Sequence, residues 1–97
     1  MSGDLIGNNL RPKNFFSPNE GDMINATWEI AGILDYPECA VEIYDQTGNR
    51  LFEAMPYQNN WDGTSGGKML PDGAYYYIIR CNGNEIVKSG TVTLLRN

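Results

Sequence analysis

Between residues 27 and 95 the chain alternates short apolar runs with turns built from Gly, Asn, Asp and Pro, and nowhere holds a helical period. This pattern constrains the fold most, because a two-residue side-chain period is satisfied by a strand with one buried face. Trp28 and Ile30 alternate in Thr27-Trp28-Glu29-Ile30, as do Val41 and Ile43 in Ala40-Val41-Glu42-Ile43-Tyr44, so both segments are expected as half-buried strands. Asp45-Gln46-Thr47-Gly48-Asn49 supplies a turn, and Arg50-Leu51-Phe52-Glu53-Ala54 is expected to return antiparallel to the strand before it. Residues 74–81 are apolar or aromatic at nearly every position, which predicts a central strand covered on both faces. Asn82-Gly83-Asn84 turns the chain again, and 85–88 and 91–95 follow as strands with Ser89-Gly90 expected as a bulge or bend.

Six or seven short strands in 97 residues fit two sheets packed face to face. The expected fold is all-β, an immunoglobulin-like antiparallel β-sandwich of about seven strands. Trp28, Val41, Ile43, Phe52, Tyr75, Tyr77 and Ile79 are its expected core. Residues 1–14, polar and rich in Gly and Asn, read as a linker or an introduced N-terminal segment leading into a domain of residues 15–97. Met1-Ser2-Gly3 reads as an addition ahead of a piece of a longer chain.

Twelve acidic against seven basic residues give a net charge of −5, which repels phosphate backbones and anionic lipid. Arg11, Lys13, Arg50, Lys68, Arg80, Lys88 and Arg96 are scattered along the chain, so no nucleic-acid partner is expected. No run approaches the roughly 20 apolar residues of a membrane helix, so no membrane insertion is expected.

The chain contains no histidine, which removes the usual general base, the Ser-His and Cys-His nucleophile pairs and the commonest zinc ligand. Gly63-Thr64-Ser65-Gly66-Gly67 lacks the Lys-Ser/Thr ending of a phosphate-binding loop and reads as a turn. No catalysis and no cofactor are expected. Asn19-Glu20-Gly21-Asp22-Met23-Ile24-Asn25 is rich in oxygen ligands, but Asx side chains capping their own turns are favoured over bound calcium. Cys39 opens one expected strand and Cys81 closes another. A disulfide would form if their Cα atoms lay within about 7 Å, and two separate thiols are the favoured reading. Trp61 reads as a core anchor beneath the Asp62-Gly63 turn in preference to a ligand-stacking platform. Tyr75, Tyr76 and Tyr77 must point alternately to opposite faces, so they form no single platform.

Phe16-Ser17-Pro18-Asn19, Trp28-x-Ile30, Ile33-x-x-Tyr36-Pro37, Val41-x-Ile43-Tyr44, Trp61-Asp62-Gly63-Thr64, Leu70-Pro71-Asp72-Gly73-x-Tyr75-x-Tyr77-x-Ile79 and Gly90-x-Val92-x-Leu94-x-Arg96 follow one another in this order. Together they closely resemble the gliding-motility-associated C-terminal domain, the type B sorting domain of the type IX secretion system. Asp22 and Asn25 match the family's Ser-Pro-Asn-Gly-Asp-Gly-x-Asn-Asp segment, whereas Glu20 is inserted and Met23 and Ala26 replace its second Gly and final Asp. Gln46-Thr47-Gly48 stands where the family often has Arg-Trp-Gly.

The resemblance implies a transport address for an N-terminal cargo protein. The cargo would cross the inner membrane by a Sec signal, pass through the periplasm and reach the cell surface or medium. Its partners would be the outer-membrane type IX translocon components and their partner proteins. The alternative is a generic immunoglobulin-like binding or spacer module, since Trp-Asp-Gly-Thr with Leu-Pro-Asp-Gly-x-Tyr also occurs in the sandwich domain of flagellar hook-capping proteins.

Overall fold

Residues 73–81 and 85–94 form the two longest strands, and their antiparallel pairing lies at the centre of the main sheet. The computed structural model describes residues 8–18 and 27–95. In these the chain forms β1 (Arg11–Pro12), β2 (Phe15–Phe16), β3 (Ile30–Ala31), a single 3-10 turn (Ile33–Asp35), β4 (Ala40–Tyr44), β5 (Arg50–Ala54), β6 (Thr64–Ser65), β7 (Lys68–Met69), β8 (Gly73–Cys81) and β9 (Glu85–Leu94).

The main sheet has the order β2-β9-β8-β4-β5. Its pairs are antiparallel except β2 with β9, which run parallel with Phe15 opposite Thr93 and Phe16 opposite Leu94. The fold is thus the all-β, sandwich-like one expected, with a mixed sheet in place of a wholly antiparallel one. The parallel contact arises because the N-terminal segment runs beside the last strand, where the Thr93 and Leu95 amides donate to the Asn14 and Phe16 carbonyls. The β1–β3 ladder, the Trp28–Trp61 bridge and the β6–β7 hairpin make up the rest of the β structure.

One core joins these pieces. Leu10, Trp28, Ile30, Ile33 and Trp61 pack with Phe16, Val41, Ile43, Tyr57, Tyr75, Tyr77, Ile79, Val92 and Leu94, with Phe52 half-buried against them. Burying such side chains contributes about 1.5–3 kcal/mol each, the main favourable term available to a chain this short. The segment expected as a linker therefore belongs to the domain from Leu10 onward, which is buried, with β1 paired to β3 just after it. The polar sequence around Leu10 gave no periodic signal because a two-residue ladder is too short to show one.

Residues 74–81 do form the central strand, but only one of its faces is sealed. Tyr75, Tyr77, Ile79 and Cys81 are buried, whereas Tyr76 on the other face is 47% exposed. Apolar residues on both faces reflect a sheet whose outer side is partly aromatic, with Tyr44 opposite Tyr76. On that side Glu42, only 6% exposed, accepts from the Tyr44 hydroxyl at 2.8 Å and from Arg80 Nε at 3.3 Å. A charge held so far from water needs such partners, since an uncompensated one costs several kcal/mol.

The bulge expected at Ser89-Gly90 lies elsewhere. β9 runs unbroken, and its register shifts where Ile79 faces Lys88 and Arg80 faces Ile86, leaving Val87 as the extra residue. Gly90 has a different role: a Cβ there would stand 2.8 Å from the Tyr77 hydroxyl, so the missing side chain makes room for that ring.

The expectation of two free thiols is overturned. Cys39 and Cys81 form a disulfide with Cα atoms 4.2 Å apart. Ala40 pairs with Arg80 across β4 and β8, so the next pair outward is Cys39 and Cys81. Strand ends far apart in sequence were adjacent in the sheet, a register that only tertiary pairing supplies.

Candidate recognition surface

Three aromatic side chains, Trp28, Tyr57 and Trp61, tie distant segments together by hydrogen bonds. The Tyr57 hydroxyl donates to the Trp28 carbonyl at 2.6 Å and accepts from the Trp61 amide at 3.0 Å. The Trp28 amide donates to the Trp61 carbonyl at 2.9 Å, and the Trp28 indole donates to the Lys13 carbonyl at 2.6 Å. Burial pushes the Tyr57 hydroxyl well above its ordinary pKa, so it remains a neutral donor. Sequence reasoning missed Tyr57; its one signal is a lone aromatic between Pro56 and the polar run Gln58-Asn59-Asn60.

The Trp61 indole donates to the Thr64 carbonyl at 3.1 Å, bridging the turn through Asp62 and Gly63, and the Thr64 hydroxyl donates to Asp62 Oδ1 at 2.7 Å. Gly63 has φ 83°, a conformation that other residues adopt only with strain. Its carbonyl accepts from the Leu70 amide at 2.9 Å, which leads the chain into Pro71-Asp72-Gly73. There the Tyr75 hydroxyl donates back to the Pro71 carbonyl, an arrangement like the tyrosine corner of immunoglobulin-type sandwiches.

Pro71, Asp72, Gly73, Ala74 and Tyr75 meet the Asp45-Gln46-Thr47 turn to line an open groove of about 320 Å³. The motif residues thus come together with the hairpin turn that departs from the family pattern. Both charged groups lining the groove are acidic, Asp45 and Asp72. Asp45 Oδ1 accepts from the Thr47 hydroxyl at 2.7 Å and from the Thr47 and Asn49 amides at 2.9 Å each. The Thr47 hydroxyl first, then the Asn49 amide, lower its pKa.

A depressed carboxylate favours the fold above its unfolded pKa, and the benefit disappears as pH falls through the lower folded value. Replacing Thr47 by Val is therefore expected to move the Asp45 midpoint up towards the ordinary value of about 3.9, read by carbon-detected NMR titration. An unmoved midpoint would show that the hydroxyl does not set it.

The other motif residues lie apart from the groove. Phe16 is buried with its ring 5.2 Å from that of Trp61, and Pro18 follows it. Tyr36 and Pro37 lie at the far end of β4, where the Cys39 amide donates to the Tyr36 carbonyl and brings Cys39 to Cys81. Tyr77 lies beneath Gly90. Asn19, Asp22, Asn25 and Arg96, with the oxygen-rich segment 19–25, lie outside the described residues. Among the described residues, no group of three or more His, Cys, Asp or Glu is placed to hold a metal, and no helix is long and apolar enough to cross a membrane.

The Trp61–Thr64 and Leu70–Gly73 motif turns are thus held by hydrogen bonds from Trp61, Thr64 and Tyr75 within a sandwich-like β fold. The chain matches the CHU_C type IX secretion signal domain over residues 10–94, and it belongs to that family. No curated protein matches it. The chain is therefore a C-terminal sorting signal for a cargo protein, recognised by the secretion machinery and leading to export to the cell surface or the extracellular space.

Proposed function

We propose that the domain acts without catalysis or cofactor, as a folded address read by outer-membrane type IX translocon components and their partner proteins. In this reading the cargo first enters the periplasm by a Sec signal, and the groove between Asp45–Thr47 and Pro71–Tyr75 is the face that is read. The observation that carries it is the meeting, at one groove, of the Pro71–Tyr75 motif segment with the Asp45–Thr47 hairpin turn distant in the chain, within a domain that matches the family over residues 10–94. Two carboxylates at the rim favour a basic contact on the partner, which would draw the domain in by charge complementarity.

The test fuses the chain behind a Sec-exported reporter in a bacterium with a matching type IX system. The intact domain is expected to carry the reporter to the surface or medium. Replacing Asp45 and Asp72 together by Asn, which removes both charges but keeps an acceptor oxygen for the Thr47 and Asn49 amides, is expected to reduce that export at least tenfold while the domain still melts cooperatively. Unchanged export by this variant would move the contact away from the groove. A folded fusion retained in the periplasm, in a host that exports a related domain, would replace the sorting reading with a generic binding or spacer module.

A further inference from the structure

The Cys39–Cys81 disulfide closes a covalent loop with a sequence separation of 42. Inside that loop lie Phe52, Tyr57 and Trp61 from the core, and every residue lining the candidate groove, from Asp45 to Tyr75. The two cysteines are fully buried. They clamp the end of the β4–β8 pair opposite the groove, since Tyr44 and Tyr76 pair at the groove end while Cys39 and Cys81 follow Ala40 and Arg80 at the other. The motif turn at Tyr36-Pro37 brings Cys39 into that register.

We infer that thiol oxidation is an obligatory maturation step, so that the chain becomes a stable sorting signal only after a protein or small-molecule disulfide oxidant has acted on it in an oxidising compartment. In that step the Cys39 and Cys81 thiols lose two protons and two electrons and form one S–S bond. The oxidant's own disulfide is reduced to a dithiol. Constraining the unfolded chain is the main source of the gain, and for a loop of this length the chain-entropy scale gives about a thousandfold on the folding equilibrium. That factor is comparable to the whole margin of a marginal domain of this size. Complete burial then protects the bond, because a reducing thiolate must reach a sulfur and the folded chain blocks its approach.

This inference rests on the sorting reading only for its export arm. The 97-residue chain, oxidised and reduced, is compared in urea and by thermal melting, together with Cys39→Ser/Cys81→Ser and Cys39→Ala/Cys81→Val. Reduction and both double variants are expected to lower the melting midpoint by about 20 °C. The Ala/Val pair keeps the site apolar and so separates loss of the bond from burial of two hydroxyls. Reduction of the wild-type bond by dithiothreitol is expected to be at least a hundredfold slower in native buffer than in denaturant. In the reporter fusion, the Ala/Val variant is expected to lose most of its export at growth temperature.

A midpoint within about 3 °C of wild type for the Ala/Val variant, or equally fast reduction in native buffer and denaturant, would overturn the inference while leaving the sorting reading intact. Full export of the Ala/Val variant would also overturn it. Failure of the wild-type fusion to be exported would instead count against the sorting reading, and the melting and reduction measurements would still decide the role of the bond.

Discussion

Truncating Trp61 to Ala is expected to destabilise the domain by about 3–5 kcal/mol, measured by urea unfolding. Its ring lies among four others, with centroids 5.2 Å from Phe16, 6.0 Å from Phe52, 6.1 Å from Tyr75 and 6.4 Å from Trp28. Removing it opens a cavity that these rings cannot collapse into, because each is fixed by its own strand or loop. The loss also frees the Thr64 carbonyl from the indole N–H and so loosens the Asp62-Gly63 turn. Native domains hold only about 5–15 kcal/mol in all, so the variant is expected to be partly unfolded at growth temperature. Trp61→Phe, which keeps most of the apolar volume, is expected to recover more than half of the loss. A cost for Trp61→Ala below about 1 kcal/mol would mean that the side chain is not the packed anchor described.

Removing residues 91–97 is expected to abolish both cooperative melting and export. Thr91, Val92, Thr93 and Leu94 pair with Tyr76, Tyr75, Ala74 and Gly73 of β8, and Thr93 and Leu94 also pair with β2. The deletion strips the central strand of half its partner, leaves β2 with no ladder and uncovers Phe16 and Tyr75. Val92 and Leu94 are both fully buried, and losing such side chains costs about 2–5 kcal/mol each for the larger aliphatics. Deleting only residues 96–97 leaves β9 whole and is expected to preserve melting, so its export separates loss of fold from loss of terminal residues that are themselves read. A cooperative transition at an unchanged midpoint after the larger deletion would contradict the role given to β9.

Some parts of this molecule are local enough to be read from residue order. Val41 and Ile43 alternate inward because a strand has no other way to bury both, and the Asp45–Asn49 turn returns β5 onto β4 because its side chain accepts its own downstream amides. The motif order likewise carried the family, since Trp61-Asp62-Gly63-Thr64 and Leu70-Pro71-Asp72-Gly73 are turns whose residue types are dictated by their own backbone geometry. Ser89-Gly90 shows the boundary of such reasoning. A glycine within a strand has two common causes, a bulge or a close approach, and only the position of Tyr77 selects the second.

Residue order alone determined an all-β chain of short alternating strands, the two tryptophans as candidate anchors, the absence of histidine chemistry and the membership of a sorting-signal family. Tertiary structure alone decided that Leu10 belongs to the core, that β2 runs parallel to β9, that Tyr57 ties Trp28 to Trp61, that Glu42 is buried against Arg80, and that Cys39 meets Cys81. The physical reason is range. Side-chain period and turn chemistry act over a few residues and are written in the local sequence, whereas strand register, layer packing and disulfide pairing depend on which distant segments come to lie side by side.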